Sequence, residues 1–199
     1  MSDDAAFTDL TNHFLIAMPG MGDDLFTGSV IYLCQHSPNG AMGLIINKPA
    51  DVDVAGLFRK LALPLARTEL TTRAVLRGGP VQTERGFVLH DPVLAVGMSE
   101  GETAYVATLR VPGGLEMTTS RDVLEAISSG GGPQRLAIVL GCSTWSAGQL
   151  EAEMARGSWF SVPADIGVIF DAPINERYTR ALALLGLQAW MMAPEAGHA

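Results

Sequence analysis

The sequence predicts an α+β fold: a mixed, largely antiparallel sheet that curls towards a barrel, with flanking helices packed on it. Two observations predict this class. Apolar, β-branched runs joined by tight turn signals dominate the first part of the chain, which is typical of hairpins. The second part alternates strand-like and helix-like segments. These local signals agree with one another, so we expect a flexible acidic N-terminus at 1–12 and a single domain at 13–199.

The first elements are predicted to be a strand and a hairpin. The run HFLIAM at 13–18 indicates a strand, which Pro19 and Gly20 break. Two further apolar runs, SVIYLCQH and AMGLIIN, flank the segment SPNG. An Asn-Gly pair between such runs is the strongest short-range hairpin signal. The turn of this hairpin is therefore expected at Asn39 and Gly40.

The segment DVDVAGLFRKLAL predicts the first helix. Its apolar residues recur at helical spacing and so share one face: Val54, Leu57, Phe58 and Leu61. Either Asp51 or Asp53 caps the start of this helix, and Pro64 lies beyond its end. After it, RGGPVQTERGFVLH predicts a glycine-punctuated turn that leads into a short strand at 86–90. A second hairpin is expected from AYVATLRV and LEMTT, across a turn at 112–114.

Two capping boxes predict helices in the second part of the chain. Thr119 and Asp122 open a helix that stops at the run SGGGP, and Ser146 and Gln149 open another that ends near Gly157. Residues 135–140 predict a buried strand, and the run IGVIFD predicts another. A last helix is expected over 173–185, followed by Gly186 at its C-cap. Its core side is formed by Ile174, Tyr178, Leu182 and Leu185.

Composition restricts the classes of function. Apolar residues make up 48% of the chain and charged residues 17%, which is typical of a globular protein. Its longest apolar runs are far too short to span a bilayer, so no membrane partner is expected. Lys48 is the first positive side chain, so no basic signal-peptide region is visible, and the two cysteines form no disulfide framework. We expect a cytoplasmic protein. The net charge of −8 opposes direct DNA binding, because the 13 Lys and Arg residues do not cluster.

The stretch IVLGCSTWSAGQLEAE suggests an active site, because it predicts a strand, a small-residue loop and a helix. Its loop places Cys142, Ser143, Thr144 and Ser146 before a helix N-terminus, which favours an anion or a thiolate. Trp145 breaks the pattern of a nucleophile elbow, and a P-loop is excluded because 135–199 contains no lysine. The favoured alternative is structural: Ser146 caps the helix, and no residue is predicted to be catalytic.

Cys34 and His36 form the candidate redox thiol. They lie two positions apart in a predicted strand, so their side chains are expected on the same face. A histidine beside a cysteine can lower the thiol pKa and create a nucleophile or a redox sensor. The favoured alternative is a buried apolar Cys34, with His36 at the strand end reaching a turn carbonyl.

No metal or cofactor is predicted. The four histidines lie in separate segments without the spacing of a zinc motif. A site could assemble only in space, from His36, His90 and Asp23 or Asp24.

A ligand or partner groove is predicted where two glycine-containing segments meet. One segment contributes Gly78, Gly79, Pro80 and Arg85, with His90 at its end; the other contributes Asn39, Gly40 and Lys48. Glycines allow backbone N–H groups to be exposed, and an arginine binds carboxylate or phosphate through two parallel hydrogen bonds. Methionines would form the floor: Met18, Met21 and Met42. The alternative is a tight turn in which Arg85 pairs with an acidic residue.

Several long blocks resemble one bacterial family. They are HFLIAMPGMGDDLFTGSVIYLCQHSPNGAMGLIINKP, GGPVQTERGFVLH, MTTSRDVLEAI, GQLEAEMARGSWF and FDAPINERY. In their order and spacing they are similar to the signature blocks of the YqgE/AlgH family, from His13 to Ala199. The resemblance implies a cytosolic α+β protein with a pseudo-barrel sheet, and the family often carries the label of transcriptional regulator. This sequence departs from the family at Gln35, where an acid is usual, and at Cys142, where tyrosine is usual.

The expected function is therefore a non-catalytic regulatory or interaction module of the YqgE/AlgH type. It would act through an unknown protein partner or a small ligand, as a monomer or weak homodimer. Two alternatives stay open. One is a thiol-dependent enzyme or redox sensor that uses Cys34, and the other is the DNA-binding regulator that the family label suggests.

Overall fold

The computed structural model describes residues 7–19, 24–94, 97–99 and 101–188. These residues form the predicted α+β fold, in which a curled, mixed sheet makes a half-barrel with five flanking helices. The strands are β1 (His13–Ala17), β2 (Val30–Ser37), β3 (Gly40–Ile45), β4 (Pro49–Asp53), β5 (Ala74–Arg77), β6 (Val81–His90), β7 (Thr108–Val111), β8 (Leu115–Thr118), β9 (Leu136–Ser146) and β10 (Trp159–Pro163). The helices are α1 (Val54–Lys60), α2 (Asp122–Ser128), α3 (Gln149–Ala155), α4 (Ile166–Phe170) and α5 (Arg177–Leu184).

β9 is the central strand of the sheet. The main strand order is β10-β1-β2-β3-β9-β6-β8-β7, and every pair along it is antiparallel. β5 adds to β9 in parallel, and β4 pairs with β5. One half of β9 pairs with β6 and β5, and its other half pairs with β3, where Gly43 lies opposite Ser143. The sheet is thus mixed because of the single parallel pair β5–β9.

Both faces of the N-terminal strands are covered, so these strands are apolar at nearly every position. Phe14 and Ile16 of β1 face the interior of the half-barrel, where α4 and α5 also pack. Leu15 and Ala17 face the opposite side, where Leu150 of α3 packs. Helices α1 and α2 cover a third cluster over β6 and β9. A strand buried on both faces loses the alternation of polar and apolar residues.

Several predicted elements are confirmed. β1 and the hairpin β2–β3 lie where the apolar runs and the Asn-Gly turn indicate, and so does the hairpin β7–β8. Asp53 caps α1, and its Oδ1 accepts a hydrogen bond of 2.7 Å from the backbone N–H of Gly56. α5 ends before Gly186, which has a positive φ of 72° as expected for a residue after a helix C-terminus. α5 begins at Arg177, four residues after the predicted start, and the residues of the predicted core side pack in the half-barrel: Ile174, Tyr178, Leu182 and Leu185.

The predicted loop after the strand at 135–140 is wrong. β9 continues to Ser146, so Cys142, Ser143, Thr144 and Ser146 are strand residues and not a loop before a helix. Gly141, at φ 74°, bends the strand without removing it from the sheet. Beyond this bend the chain pairs with β3, which supplies the backbone partners that a loop would lack.

Neither capping box forms in full. α2 begins at Asp122 with no side-chain cap, and the Asp122 carboxylate accepts hydrogen bonds from Val106 N–H and Ser120 Oγ instead. At α3 the N-cap residue is Gly148, in the left-handed region. Only half of that box is present: Gln149 Oε1 accepts a hydrogen bond of 3.0 Å from the backbone N–H of Ser146.

Other differences concern strands. The run IGVIFD forms helix α4, which Asp165 caps by accepting a 2.7 Å hydrogen bond from Gly167 N–H. Periodicity alone cannot separate a short buried helix from a buried strand. β6 begins at Val81, five residues before the predicted strand, and β4, β5 and β10 are additional to the predicted strands.

Candidate functional site

A β-bulge in β2 separates the two residues of the candidate redox thiol. Leu33 lies opposite Gly43 and Gln35 opposite Met42, so Cys34 is the extra residue. Cys34 packs in the half-barrel interior, whereas His36 is paired with Ala41 on the opposite face. The expected shared face is therefore wrong, because the bulge interrupts the alternation of side chains.

The two thiols are buried and not activated. Cys34 is 1% exposed, and its Sγ lies 3.8 Å from the backbone carbonyl of Tyr32, to which it donates. Burial raises the pKa of the Cys34 thiol, and the nearby Cys142 raises it further. Burial also raises the pKa of Cys142, with Arg85 acting in the opposite direction. A thiol that stays protonated is a poor nucleophile.

His36 joins the chain before β1 to helix α3. Its Nδ1 accepts a 2.9 Å hydrogen bond from the backbone N–H of Leu10, so the ring proton lies on Nε2. Nε2 donates to Glu151 Oε1 at 2.9 Å, in place of the predicted turn carbonyl. The ring of Phe7 lies 4.8 Å from that of His36, centroid to centroid. Residues 7–12 thus contact the body of the protein.

His90 is fully buried, and both of its ring nitrogens lie within hydrogen-bond distance of an oxygen. Its Nδ1 lies 2.7 Å from the carbonyl oxygen of Asp91, and its Nε2 lies 2.8 Å from Thr118 Oγ1. Burial lowers the pKa of His90, which keeps the ring neutral. The two histidines of the predicted metal site have different hydrogen-bond partners, and Asp23, one of its predicted carboxylates, lies outside the described residues. Within the described ranges, no group of three or more His, Cys, Asp or Glu side chains could hold a metal ion.

The structure brings the two predicted segments together only along their backbones, where Arg77 N–H donates to the carbonyl of Lys48 at 2.8 Å and Ile45 N–H to that of Gly78 at 3.0 Å. Gly78 and Gly79 lie against the backbone of β9, and the Gly78 N–H donates to the carbonyl of Leu140 at 2.8 Å. These glycines permit close packing of the chain, and the N–H of Gly78 is not free. Gly40 packs in the same way against the carbonyl of Trp145.

The side chains of the remaining groove residues have separate environments. Lys48 Nζ donates to the carbonyl of Thr27 at 2.7 Å, and Asn39 is exposed in the hairpin turn. Pro80 is exposed before β6, and His90 is buried as described above. Of the predicted floor, Met18 N–H bonds to the carbonyl of Ser158, and Met21 lies outside the described residues.

Arg85 does line a cavity, which opens onto the interior cluster of the half-barrel. We call it the mouth cavity, and its volume is about 470 Å³. Its lining comes from five strands (β3, β6, β7, β8 and β9) and from the chain just before β7. Its apolar floor contains Met42, Phe87 and Met117, and polar side chains lie at its rim. Those rim residues are Gln82, Thr108, Thr119 and Thr144. Met42, Arg85, Cys142 and Thr144 therefore meet here, although they were predicted in different sites.

Arg85 carries a positive charge without a carboxylate partner among the described residues. Nη1 donates to Gln82 Oε1 at 3.0 Å and Nη2 to Thr119 Oγ1 at 3.3 Å. The guanidinium carbon lies 5.6 Å from the centroid of the Phe87 ring. The predicted alternative, in which Arg85 pairs with an acidic residue, is therefore absent from the described part of the chain.

Sequence reasoning missed Gln82, Thr119 and Phe87 as members of this site. Phe87 and Arg85 lie two apart in β6, and this strand was predicted to begin only at residue 86. Extending the strand to Val81 would have placed Arg85 and Phe87 on one face. The described lining of the mouth cavity contains no Asp, Glu or His, so it offers no acid–base pair.

No helix in the described residues is long and apolar enough to cross a membrane.

Comparison with known proteins identifies the family. The family model described as AlgH-like matches residues 14–190. A UPF0301 protein from Acidovorax sp. (strain JS42) is 58% identical to this chain and one from Polaromonas sp. (strain JS666 / ATCC BAA-500) is 56% identical, each over 100% of both chains.

Solved structures are similar as well. The solution structure of the AlgH protein from Pseudomonas aeruginosa matches with a TM-score of 0.74 and 44% identity, covering 98% of each chain. A crystal structure of a Corynebacterium diphtheriae protein matches with a TM-score of 0.67 over 88% of this chain and 87% of that one. At 22% identity, this second likeness shows the fold alone. The resemblance found in the sequence is thus confirmed, and the chain belongs to the AlgH-like family.

Proposed function

We propose that this protein is a non-catalytic binding module that holds a small anionic ligand in the mouth cavity. One observation supports the proposal above all: Arg85 presents an uncompensated positive charge at the rim of a cavity with an apolar floor. A ligand with one carboxylate and a short apolar body would match both features. The function is regulatory, in that ligand binding alters contacts with a protein partner.

The geometry around Arg85 favours an anion over a neutral ligand. Gln82 and Thr119 orient the guanidinium with neutral oxygens, which leaves its formal charge unbalanced. Contact with the Phe87 ring also supports the cation, because an aromatic face attracts positive charge. The remaining N–H groups are available for a carboxylate, which binds guanidinium through paired hydrogen bonds.

A binding role fits the lining better than a catalytic one. Acid–base catalysis needs a side chain that exchanges a proton near neutral pH, and the described lining holds none. Cys142 lines the cavity, but burial raises its pKa and disfavours the thiolate. The two free thiols suit a cytoplasmic protein, and the net charge of −8 disfavours direct contact with DNA.

An exposed apolar side chain beside the cavity supports the protein contact. Val106 lines the mouth cavity and is 91% exposed. The backbone N–H of Val106 donates a hydrogen bond to the Asp122 carboxylate, which fixes the backbone at this position. A ligand in the cavity would lie next to Val106 and would alter the surface that a partner meets.

Hexanoate is the probe that tests this proposal, since it combines a carboxylate with a short apolar chain. We expect saturable changes in the ¹H–¹⁵N NMR spectrum at Thr119, Thr144 and their neighbours, and none with hexanol at equal concentration. Arg85→Gln should weaken hexanoate binding by about tenfold, the effect of losing a charge-assisted interaction. Arg156→Gln is the matched control, because Arg156 is also exposed and lies outside the cavity. Equal binding by Arg85→Gln and the native protein would exclude the mouth cavity as the site.

A further inference from the structure

A second cavity contains a buried arginine that has no charged partner. Arg177, the first residue of α5, is only 8% exposed. Its Nε donates to the carbonyl of Ala172 at 3.1 Å, and its Nη1 donates to the carbonyl of Ile46 at 2.5 Å. Both acceptors are neutral, and no described carboxylate forms an ion pair with this guanidinium. A buried charge without a counter-charge is costly, so its presence calls for an explanation.

The free part of this guanidinium borders open space. Nη2 of Arg177 makes no hydrogen bond to a described residue, and the side chain lines a cavity of about 430 Å³. We call it the arginine cavity. It lies between α4, the start of α5, β5 and the first half of β9. The arginine cavity shares no lining residue with the mouth cavity.

Arg73 brings a second positive charge to the same cavity. Its Nη1 donates to the carbonyl of Leu136 at 3.3 Å, and it too lacks an ion pair with any described carboxylate. The two guanidinium groups repel each other: burial and, to a smaller extent, the charge of Arg73 lower the pKa of Arg177 to about 10. Glu69 feels the charge of Arg73, but its ion pair, at 2.7 Å, is with Arg67.

One carboxylate borders the cavity, and its charge is shared with a different arginine. Asp171 lines the cavity, but its side chain is 65% exposed and its Oδ2 lies 3.8 Å from Nη1 of Arg135. The other walls are largely apolar and include Leu76, Ile138 and Phe170. The cavity therefore combines two unpaired guanidinium groups with apolar walls.

We infer that the arginine cavity binds a phosphate monoester with a small apolar body, with its phosphate between Arg73 and Arg177. Two guanidinium charges match a dianion better than the single charge of a carboxylate. The free Nη2 edge of Arg177 supplies donors with a fixed direction, and the exposed Arg73 closes on the phosphate from the solvent side. The apolar walls contact the body of the ligand. Nothing in this inference depends on a ligand in the mouth cavity.

Phenyl phosphate is a probe that has both parts of such a ligand. Isothermal titration of the full chain should show saturable binding, with weaker binding of benzoate, which has one charge, and of inorganic phosphate, which has no apolar body. Arg73→Gln should weaken phenyl phosphate binding by about tenfold. This variant removes an exposed side chain and leaves Arg177 in place, so the fold is retained. Arg156→Gln again serves as the control and should bind as the native protein does.

The location of binding separates this inference from the proposed function. Phenyl phosphate should shift NMR signals of residues 72–74 and 171–174, which line the arginine cavity. The inference is overturned if phenyl phosphate does not bind, or if Arg73→Gln and native protein bind it equally. It is also overturned if the shifts lie at Thr119 and Thr144 and Arg85→Gln abolishes them, an outcome that would leave the mouth cavity supported. Benzoate binding as tight as that of phenyl phosphate would contradict the assignment of a phosphate ligand.

Discussion

Individual glycines allow the chain between β5 and β6 to pass directly over β9. A Cβ atom at Gly78 would lie 2.2 Å from the carbonyl oxygen of Gly141 and 2.5 Å from Cγ1 of Val139. The first of these is a backbone atom of a central strand, which cannot move without disturbing its neighbours. The glycine-rich block therefore has a packing role, whereas the sequence predicted a turn with exposed N–H groups.

Replacing Gly78 by alanine should destabilise the protein by roughly 1–3 kcal/mol, the usual cost of overpacking. Gly86→Ala is the matched control in the same block, since a Cβ there meets nothing within 4 Å. Urea unfolding of both variants measures the difference. If the two free energies of unfolding agree, the close approach at Gly78 is not a constraint on the fold.

The stability of the protein should depend on pH because of one residue, His90. Burial lowers its pKa, although the carbonyl of Asp91 and the charges of Glu116 and Asp91 act in the other direction. The folded-state pKa thus lies below the unfolded value of about 6.5. As pH falls below that value, the unfolded chain takes up a proton that the folded protein does not. The free energy of unfolding therefore keeps its full value, as far as His90 is concerned, above the unfolded pKa. It decreases as the pH falls from there towards the folded pKa.

The free energy of unfolding should accordingly fall as the pH is lowered through about 6.5, by at most roughly 1.4 kcal/mol per pH unit from this one group. His90→Gln should reduce that slope. NMR titration of the imidazole provides a direct measurement that does not depend on the variant. A His90 midpoint at or above the ordinary histidine value would contradict the assignment.

At the scale of elements, α5 shows how helical spacing translates into packing. Its apolar residues recur at helical intervals, and the structure places Leu182 at the core with no exposed surface. Leu184, two positions on, faces away and is 40% exposed. Tyr178 adds a polar connection, because its hydroxyl donates to the carbonyl of Ala17 in β1 at 2.9 Å.

Leu182→Ala should cost about 2–5 kcal/mol, because it removes a fully buried side chain and leaves a cavity. Leu184→Ala, on the same helix, should change stability by no more than about 0.5 kcal/mol. Thermal unfolding followed by circular dichroism compares the two. Similar losses would mean that α5 does not pack on the half-barrel in the way described.

Sequence patterns identified elements best where the signal was local. The Asn-Gly hairpin, the Asp53 cap and the spacing in α5 depend on neighbouring residues, and all are confirmed. The bend of β9 at Gly141 depends on pairing with β3, a hundred residues earlier in the chain, so local patterns indicated a loop. The bulge at Cys34 was likewise invisible, and it reversed the expected position of His36.

Candidate sites were harder to predict than elements. Arg85 was recognised because glycines surround it, but the residues that complete its cavity come from five strands and the chain before β7. Arg177 gave no signal, because nothing in the sequence separates a buried arginine from an exposed one. Charge and burial have to be known together before either cavity can be identified.

The whole molecule is organised around one continuous sheet. β9 connects the N-terminal strands through β3 to the later strands through β6. The three apolar clusters share this sheet as their common wall. Such an arrangement favours a single cooperative unit.

Unfolding should therefore be a single transition, whichever probe is used. In a variant that carries Trp190→Phe, tryptophan fluorescence comes only from Trp145 in β9 and Trp159 in β10. Both side chains pack on one face of the sheet. The urea midpoints from fluorescence and from far-ultraviolet circular dichroism should coincide. Two separate midpoints would show that the chain contains independent units.

The central position of β9 determines when the protein can fold during its synthesis. On the ribosome, residues 40–43 of β3 have no strand partner on their outer side until residue 146 has been made, and β1 has none until the chain reaches β10. A nascent chain of intermediate length consequently carries unpaired strand edges, which are the surfaces by which proteins aggregate. Expression of this protein is thus most sensitive to chaperone capacity before β9 and β10 have been translated.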